Sequence, residues 1–284
     1  MSAGTLYVVA TPIGNLADVS PRALEALGHA DLVACEDTRT SRTLLARHGI
    51  AARTVALHAH NERTAATRLL AALREGKSVA LVSDAGTPAV SDPGALLVAS
   101  AHQAGIRVVP LPGPSAALAA YSASGFASDR FLFIGFLPAQ GTARRKALEA
   151  LDAQCPVILY EAPHRVAETV QDLADRFGGA REVVIARELT KKFEEIVRLP
   201  LAAAHDWLAA EPHRVQGEFV LVLGPQAAER ATREAEGERV LAVLLETLPP
   251  SEAAKLAARI SGAPRQVLYE RALRLAGKAR AGGR

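Results

Sequence analysis

The sequence predicts an α/β protein made of two α/β domains and a small helical C-terminal module. Short β-branched runs alternate with longer segments rich in Ala and Leu, which is typical of α/β domains with a largely parallel sheet. The alternation occurs twice, and after Gly224-Pro225 only helical signals remain. We therefore predict an N-terminal α/β domain at 1–112, a C-terminal α/β domain at 113–225 and a helical module at 226–284.

The individual elements follow in order from this alternation. Runs of β-branched and aliphatic residues predict strands at 6–9, 32–34, 54–57, 79–82, 108–111, 131–136, 157–160, 182–186 and 219–223. Apolar residues at helical spacing predict helices at 22–27, 40–47, 62–75, 95–104, 143–152 and 165–176. Gly105 follows one of these helices in the position of a C-cap.

The composition excludes several classes of protein. With 284 residues, 49% hydrophobic and 22% charged, the chain can bury a sizeable core and is not disordered. Its two cysteines are far apart and lack a CxxC, which argues against a disulfide framework or a cysteine-rich zinc site. The apolar runs are too short for a signal peptide or a membrane span. We expect a cytoplasmic protein without membrane contact. The net charge is only +3, but a sequence pI near 9.0 and the basic runs at 144–146 and 191–192 leave room for a basic face, which permits an RNA partner.

Three segments rich in small and turn-forming residues directly follow predicted strands, where α/β folds bind ligands. They are ATPIGNL at 10–16, SDAGTPAVSDPG at 83–94 and PLPGPSAA at 110–117. Asp84 is suited to accept hydrogen bonds from a ligand, whereas Asp92 before Pro93 suggests a helix N-cap. The third segment opens a helix whose free amides suit a carboxylate. Turn geometry, or a linker between the domains, explains the same residues equally well.

Charged residues mark three further strand ends. Glu36, Asp37 and Arg39 stand together after the second strand and could deprotonate a hydroxyl and hold a phosphate. A helix start capped by Asp37 or Thr38, with a solvated ion pair, is the alternative. Glu161 and Glu188 stand at two strand ends of the second domain, and surface ion pairing is their alternative.

His58, His60 and Glu62 invite a metal hypothesis because two imidazoles and a carboxylate lie close in sequence. They supply at most part of a ligand set, so we predict no metal site. A helix start capped by Asn61, or a contact with RNA, is favoured instead.

Seven motifs then occur in order between positions 8 and 195: VVATPIGNL, ACEDTRTSRTLL, LVSDAGTPAVSDPG, PLPGPSA, GFLP, YEAPHR and ARELTKKFEE. Together they resemble the tetrapyrrole-methylase superfamily, in its branch of ribosomal RNA small subunit methyltransferase I enzymes. The resemblance implies a homodimeric enzyme with S-adenosylmethionine held in a cleft between two α/β domains. It also implies transfer of a methyl group to the ribose 2′-oxygen of a cytidine in the decoding centre of small-subunit ribosomal RNA, free or in the assembled subunit.

Carried over residue by residue, the resemblance assigns the cofactor site, while the catalytic candidates are the charged residues at strand ends that could accept the hydroxyl proton or hold a phosphate. The catalytic candidates are Glu36, Asp37, Arg39, Glu161 and Glu188. The cofactor-binding candidates are Pro12, Asp84, Gly86, Thr87, Ser115, Ala116, Tyr160, Ala186 and Phe219. One departure follows the last motif, where residues 196–200 lack an expected Arg-Gly and leave the local turn undetermined.

Two other functions stay open on sequence grounds. A methyltransferase of corrin-type tetrapyrroles would share the cofactor cleft without needing RNA contacts, and a catalytically silent protein could keep the fold to bind RNA. The C-terminal module resembles a helix-turn-helix whose basic residues would contact phosphates. These residues are Arg265, Arg271, Arg274, Lys278, Arg280 and Arg284. A plain helical cap or a dimer contact is the alternative.

Overall fold

The computed structural model describes the backbone of residues 4–151, 153–225 and 227–281, and their side chains except those of 227–232 and 276–281. The predicted basic side chains of Lys278, Arg280 and Arg284 lie outside these residues, as does Gln226 at the last predicted domain boundary. Among the described residues, no helix is both long and apolar enough to cross a membrane.

The first half of the chain forms a parallel five-stranded sheet in the order β3-β2-β4-β1-β5. Its strands are β1 (Thr5–Val9), β2 (Leu32–Cys35), β3 (Thr54–Ala56), β4 (Val79–Leu81) and β5 (Arg107–Leu111). The intervening helices are α1 (Pro21–His29), α2 (Thr38–Arg47), α3 (Glu62–Arg74) and α4 (Ala95–Gln103). Every residue of the central strand β4 is fully buried, because helices cover both faces of a parallel sheet. The five strands predicted here are confirmed.

The second sheet is mixed and also has five strands, in the order β6-β7-β10-β8-β9. Only β6 and β7 are parallel, and the other neighbours are antiparallel. The strands are β6 (Leu132–Phe136), β7 (Val157–Glu161), β8 (Glu182–Arg187), β9 (Glu195–Pro200) and β10 (Phe219–Leu223). The helices are α5 (Ala116–Ser124), α6 (Gly141–Glu149), α7 (Val166–Phe177) and α8 (Leu201–Ala209).

Strand β9 was not predicted, and it resolves the departure noted at 196–200. The segment alternates exposed and half-buried residues and ends in a proline, as an edge strand does. It pairs with β8 along its whole length, from Glu195 opposite Arg187 to Pro200 opposite Glu182. The turn therefore lies earlier, within the loop that joins β8 to β9.

Three helices follow the second sheet: α9 (Ala227–Leu244), α10 (Pro250–Ser261) and α11 (Arg265–Ala281). They have a small core of their own, with Leu241, Ala257 and Leu268 fully buried. Gly262 ends α10 in the left-handed conformation, at φ 70°, and thereby allows the tight turn into α11. The helical character of this region is as predicted, while the exact domain boundaries stay a prediction.

Candidate active site

A cavity of about 360 Å³ lies between the two sheets, a size within the range of small-ligand pockets. Loops after β1, β4 and β5 supply one wall, because the carboxyl ends of parallel strands meet at one edge of a sheet. Loops after β7, β8 and before β10 supply the other. We call it the interdomain cavity. Seven predicted cofactor residues line it: Asp84, Gly86, Thr87, Ser115, Ala116, Tyr160 and Phe219.

Two predicted cofactor residues do not line the interdomain cavity. Pro12 instead lines a second, neighbouring cavity of about 290 Å³. Ala186 is fully buried in the hydrophobic cluster under the second sheet's wall, beside Leu189 and Val220. Its small side chain therefore supports the wall from behind.

The loop after β1 and the loop after β4 are hydrogen-bonded to each other. The Thr11 amide donates to the Gly86 carbonyl at 2.8 Å, and the Gly86 amide donates to the Thr11 carbonyl at 3.0 Å. Gly86 has φ 79°, a conformation in which a side chain would be strained. The Thr87 hydroxyl donates to the Pro114 carbonyl at 3.1 Å, which fixes the third turn-rich segment to the second. The three motifs therefore form one connected wall.

Backbone strain is concentrated beside this cavity. Among the described residues, the non-glycine positions with positive φ are Ala89, Ser91, Glu188 and Thr190, with values between 51° and 65°. The first two flank Val90 and the last two flank Leu189, and both of these side chains line the cavity. Such conformations cost about 1–3 kcal/mol each and persist where the surrounding structure holds them, often at functional sites.

The prediction that Asp92 caps α4 is wrong. The N-cap is Gly94, at φ 124°, and Glu62 from α3 supplies the missing acceptor. Glu62 Oε1 accepts from the amides of Gly94 at 2.9 Å and Leu96 at 3.1 Å. Asp92 is thereby free to line the interdomain cavity. Sequence reasoning missed this role, although a second aspartate in the same turn-rich loop was a usable signal.

Three carboxylates on the first sheet's side are open. Within the described part of the chain, neither Glu36, Asp84 nor Asp92 forms an ion pair with a lysine or arginine. Burial raises the pKa of Asp92, as does the charge of Asp84, while Ser83 lowers it. Burial also raises the pKa of Glu36, with further increases from Asp92 and Asp84 and a decrease from His58. Asp84 and Asp92 line the cavity and Glu36 interacts with both, so negative charge is concentrated on this side, which favours a cationic ligand.

Glu161 lies at the end of β7 and is completely buried. Its Oε1 accepts from the Ala162 amide at 2.8 Å and from the Arg165 guanidinium, and its Oε2 accepts from the Thr169 hydroxyl at 2.6 Å. The surface ion pair considered from the sequence is therefore a buried network. It fixes the turn from β7 to α7, where Ala162 and Pro163 line the cavity.

Glu188 is also bound within its own loop. Its Oε1 accepts from Lys191 Nζ at 2.9 Å and from the Glu218 amide at 3.0 Å. Burial would raise the pKa of Glu188, but these two hydrogen bonds and the charges of Lys191 and Arg187 outweigh it, so the pKa is lowered. A side chain at Gly217 would collide with this carboxyl, since an added Cβ would lie 2.5 Å from Oε1. Gly217 therefore lets the β8–β9 loop approach the strand β10.

Asp37 and Arg39 form the capped helix start considered as their alternative. Asp37 Oδ1 accepts from the Arg39 amide at 2.8 Å, which makes it the N-cap of α2. Its carboxylate also pairs with the Arg39 guanidinium at 2.7 Å, and Arg39 is 87% exposed. The hydrogen bonds from the Arg39 side chain and backbone lower the pKa of Asp37 to about 2.

Tyr160 closes the second sheet's wall of the cavity. Its ring packs edge-on against Phe133 and Phe136, with ring centroids 5.1 and 5.6 Å away. Burial raises the pKa of Tyr160, while the start of α5, through Ala117 and Ser115, acts in the opposite direction. The tyrosine therefore lies between the apolar wall and the amino end of α5. Phe136, in the GFLP motif, also lines the cavity and was not singled out from the sequence.

The histidine pair lies at the start of α3. The rings of His58 and His60 are 6.0 Å apart, and the described residues contain no group of three or more His, Cys, Asp or Glu able to hold a metal. Asn61 occupies the N-cap position, but its side chain binds backwards, to the His58 amide and the Ala56 carbonyl. The absence of a metal site stays a prediction.

The chain matches two family models and is similar in sequence to known methyltransferases. Residues 5–205 match the family model of the Tetrapyrrole (Corrin/Porphyrin) Methylases, and residues 231–276 match the RsmI C-terminal HTH domain. A relative from Pseudomonas aeruginosa, named ribosomal RNA small subunit methyltransferase I, is 53% identical over 98% of this chain and 100% of its own length. The protein of the same name from Xylella fastidiosa is 54% identical over 94% of this chain and 98% of its own length.

The chain belongs to the ribosomal RNA small subunit methyltransferase I family of tetrapyrrole methylases. A solved uroporphyrin-III C-methyltransferase from Thermus thermophilus, in complex with S-adenosyl homocysteine, shares the fold. It superposes with a TM-score of 0.55 at 18% identity, covering 78% of this chain and 97% of that one. The family is one of methyltransferases that use S-adenosylmethionine, as the motifs had implied.

The residues of the interdomain cavity fit this cofactor chemically. Asp84 and Asp92 match its cationic groups, and the open amino end of α5 at Ser115 and Ala116 suits its carboxylate. Apolar side chains, among them Leu189 and Phe219, suit the adenine ring. The lining thus offers matching groups for the cationic centres, the carboxylate and the adenine ring of S-adenosylmethionine.

Proposed function

We propose that this enzyme transfers a methyl group to the ribose 2′-oxygen of a cytidine in the decoding centre of small-subunit ribosomal RNA. The observation that carries the proposal is identity above 50%, over nearly the whole chain, to two enzymes named for small-subunit ribosomal RNA. The sugar position and the nucleotide come from the motif resemblance. A cytoplasmic location accompanies this substrate.

The proposed mechanism depends on alignment. When bound, S-adenosylmethionine supplies a methyl group that is already activated by its sulfonium. The chain's own residues then hold the acceptor oxygen in line and receive its proton, and correct alignment alone can supply about 7–11 kcal/mol of the barrier reduction. Rigid walls suit that task, because the strained turns at Ser91 and Thr190 leave the loops little freedom.

The group that accepts the hydroxyl proton should be a carboxylate that does not already form an ion pair with a lysine or arginine. Glu161 forms an ion pair with Arg165, and Glu188 forms one with Lys191. Asp37 is likewise paired with Arg39. We therefore propose that Glu161 and Glu188 position the second wall and that Asp37 and Arg39 shape the entrance of α2. We assign proton acceptance to the carboxylates on the first sheet's side that form no ion pair within the described residues, and Glu36 is one of them.

We propose in addition that α9, α10 and α11 help to hold the RNA. Arg265 and Arg274 are exposed on α11, whereas Arg271 is paired with Glu238 at 3.3 Å. Exchanging Arg265 and Arg274 for glutamate should weaken RNA binding and reduce its salt dependence by about one unit of slope per lost phosphate contact. Cofactor affinity should not change. A homodimer, also implied by the resemblance, can be checked by light scattering.

The function is tested with purified enzyme and S-adenosylmethionine carrying a labelled methyl group. Assembled small subunits, naked small-subunit RNA and a corrin-type tetrapyrrole serve as alternative acceptors. A single labelled cytidine ribose in the RNA, mapped by mass spectrometry, is the expected result. Labelling of the tetrapyrrole instead would support the corrin alternative, and RNA binding without cofactor binding in calorimetry would support a silent RNA-binding protein.

A further inference from the structure

The second cavity, where Pro12 lies, directly adjoins the interdomain cavity. It is enclosed by the β1–α1 loop, by α2 and by the residues after β4. Of the described residues, only Asp84 lines both cavities. We call the second one the α2 cavity. A group held in it would face a ligand of the interdomain cavity across the Asp84 side chain.

The α2 cavity combines hydroxyl-bearing residues with the apolar side chains of Pro12, Leu16 and Leu44. Thr40, Ser41 and Thr43 project from α2, with Thr11 and Ser83 on the other walls. The Ser41 hydroxyl is buried, at 5% exposure, and makes no hydrogen bond of normal length within the described residues. Its polar neighbour is the Cys35 thiol, whose pKa is raised by burial and lowered by Ser41. The Ser41 hydroxyl therefore belongs to the packed floor of the cavity, and the exposed residues that offer hydroxyl groups to a ligand are Thr40 and Thr43.

The Asp84 carboxylate is held in place by one oxygen only. Oδ1 accepts from the Asp37 amide at 2.9 Å, which links the end of β4 to the end of β2. Within the described part of the chain, no hydrogen bond occupies Oδ2. One oxygen thus orients the group, and the other is available at the wall that separates the two cavities.

We propose that the α2 cavity receives the acceptor nucleotide of a single-stranded RNA segment and that Asp84 Oδ2 accepts its 2′-hydroxyl proton. This inference rests on the proposed function. Hydroxyl side chains can donate to or accept from any base edge, and proteins recognise RNA mostly through unstacked, splayed-out nucleotides. The cavity, of about 290 Å³, is of the right order for one such unit.

The proposed step balances within the two adjoining cavities. A bond forms between the ribose 2′-oxygen and the methyl carbon, while the bond from that carbon to sulfur breaks. Its electron pair stays on sulfur, which loses its positive charge. The hydroxyl proton passes to Asp84 Oδ2, and Asp84 later releases it to solvent, to which this residue is exposed.

The role of Asp84 is tested by Asp84→Asn, which keeps the size of the side chain and an oxygen for the Asp37 amide. With small subunits as substrate, we expect kcat to fall about a hundredfold or more, as for loss of a general base. The acidic limb of the kcat–pH profile should disappear with it. Because Asp84 also lines the cofactor cavity, the dissociation constant for S-adenosylmethionine, from calorimetry, should rise up to about tenfold, and kcat is therefore measured at saturating cofactor. Full turnover in Asp84→Asn, or weaker cofactor binding with unchanged kcat, would overturn the assignment.

The cavity itself is tested by filling it. Thr40→Phe places a ring in the α2 cavity at an exposed position, and Ala46→Phe on the same helix, which does not line the cavity, is the matched control. Thr40→Phe should abolish methyl transfer at unchanged cofactor affinity, while Ala46→Phe keeps both. If Thr40→Phe transfers normally, or loses cofactor binding as well, the nucleotide is not held there. If the enzyme without any substitution left small-subunit RNA unlabelled, the proposed function itself would be refuted.

Discussion

The carboxylates around the interdomain cavity differ according to the sheet that carries them. On the first sheet's side, Glu36, Asp84 and Asp92 form no ion pair with lysine or arginine within the described residues. Burial raises the pKa of Glu36 and of Asp92, and the charge of Asp84 raises both further. On the second sheet's side, Glu161 and Glu188 are bound by cations and backbone amides. The carboxylates on the first sheet's side can therefore bind a cation or accept a proton, whereas those on the second sheet's side stabilise the wall of the cavity.

The largest effect expected from this comparison is a loss of stability on the second side. Glu161→Gln removes the charge that Arg165 meets in a buried setting, so the free energy of unfolding should fall by about 3–5 kcal/mol. Urea denaturation measures it. The control is Glu75→Gln, which breaks an exposed pair with Lys77 and should cost less than about 1 kcal/mol. If Glu161→Gln lowered the free energy of unfolding as little as Glu75→Gln does, Glu161 would not be a residue that stabilises the second wall.

A smaller effect, on binding alone, is expected on the first side. Asp92→Asn keeps the shape of the side chain but removes a charge that faces the cationic cofactor. The dissociation constant for S-adenosylmethionine should rise about tenfold, the range of a lost charge-assisted hydrogen bond. Calorimetry measures it, with the exposed Asp18→Asn as the control. An unchanged constant would place the cofactor's ammonium elsewhere.

The sequence predicted the scaffold well, because local patterns determine it. Strand β4 is recognisable from Val79, Ala80 and Leu81 alone, since a strand buried on both faces is uniformly apolar. Strand β9 was missed, because a half-exposed edge strand that contains Glu195, Arg198 and Pro200 looks like a loop and is defined only by its pairing with β8.

The site was predictable as a set of segments but not in its roles. Loop motifs identified where ligands bind, yet Asp92 was taken for a helix cap that Glu62, 30 positions earlier, actually supplies. Likewise, Glu161 and Glu36 look alike in sequence. Only the fold brings Arg165 and Thr169 to Glu161, whereas no cation among the described residues pairs with Glu36.

A still smaller effect separates two neighbours, Glu36 and Asp37. The raised pKa of Glu36 means that its ionised form opposes folding, so stability is lost as the pH rises above about 4.5. The pKa of Asp37, lowered to about 2, means that its charge supports folding above about 3.8 and ceases to do so as the pH falls towards 2. At pH 7 we therefore expect Glu36→Gln to raise Tm and Asp37→Asn to lower it.

Both differences from the unmodified enzyme should shrink in acid. Calorimetric scans between pH 7 and pH 3 follow them, and the Glu36→Gln difference should vanish first, near the ordinary pKa of a glutamate. Shifts of the same sign in both variants would mean that the charge distribution at the end of β2 differs from the one described.

The last prediction is that removing metal ions has no effect, although the carboxylates on the first sheet's side could attract cations. Glu36, Asp84 and Asp92 could be imagined to recruit a metal, with His58 nearby. The described residues nevertheless include no group of three or more ligands, and tight binding of zinc needs at least three. A chelator should therefore leave the calorimetric affinity for S-adenosylmethionine unchanged, measured without RNA because ribosomal RNA itself needs magnesium. Weakened binding that added zinc or magnesium restores would show that these carboxylates hold a metal, and the contrast between the two walls would need a new explanation.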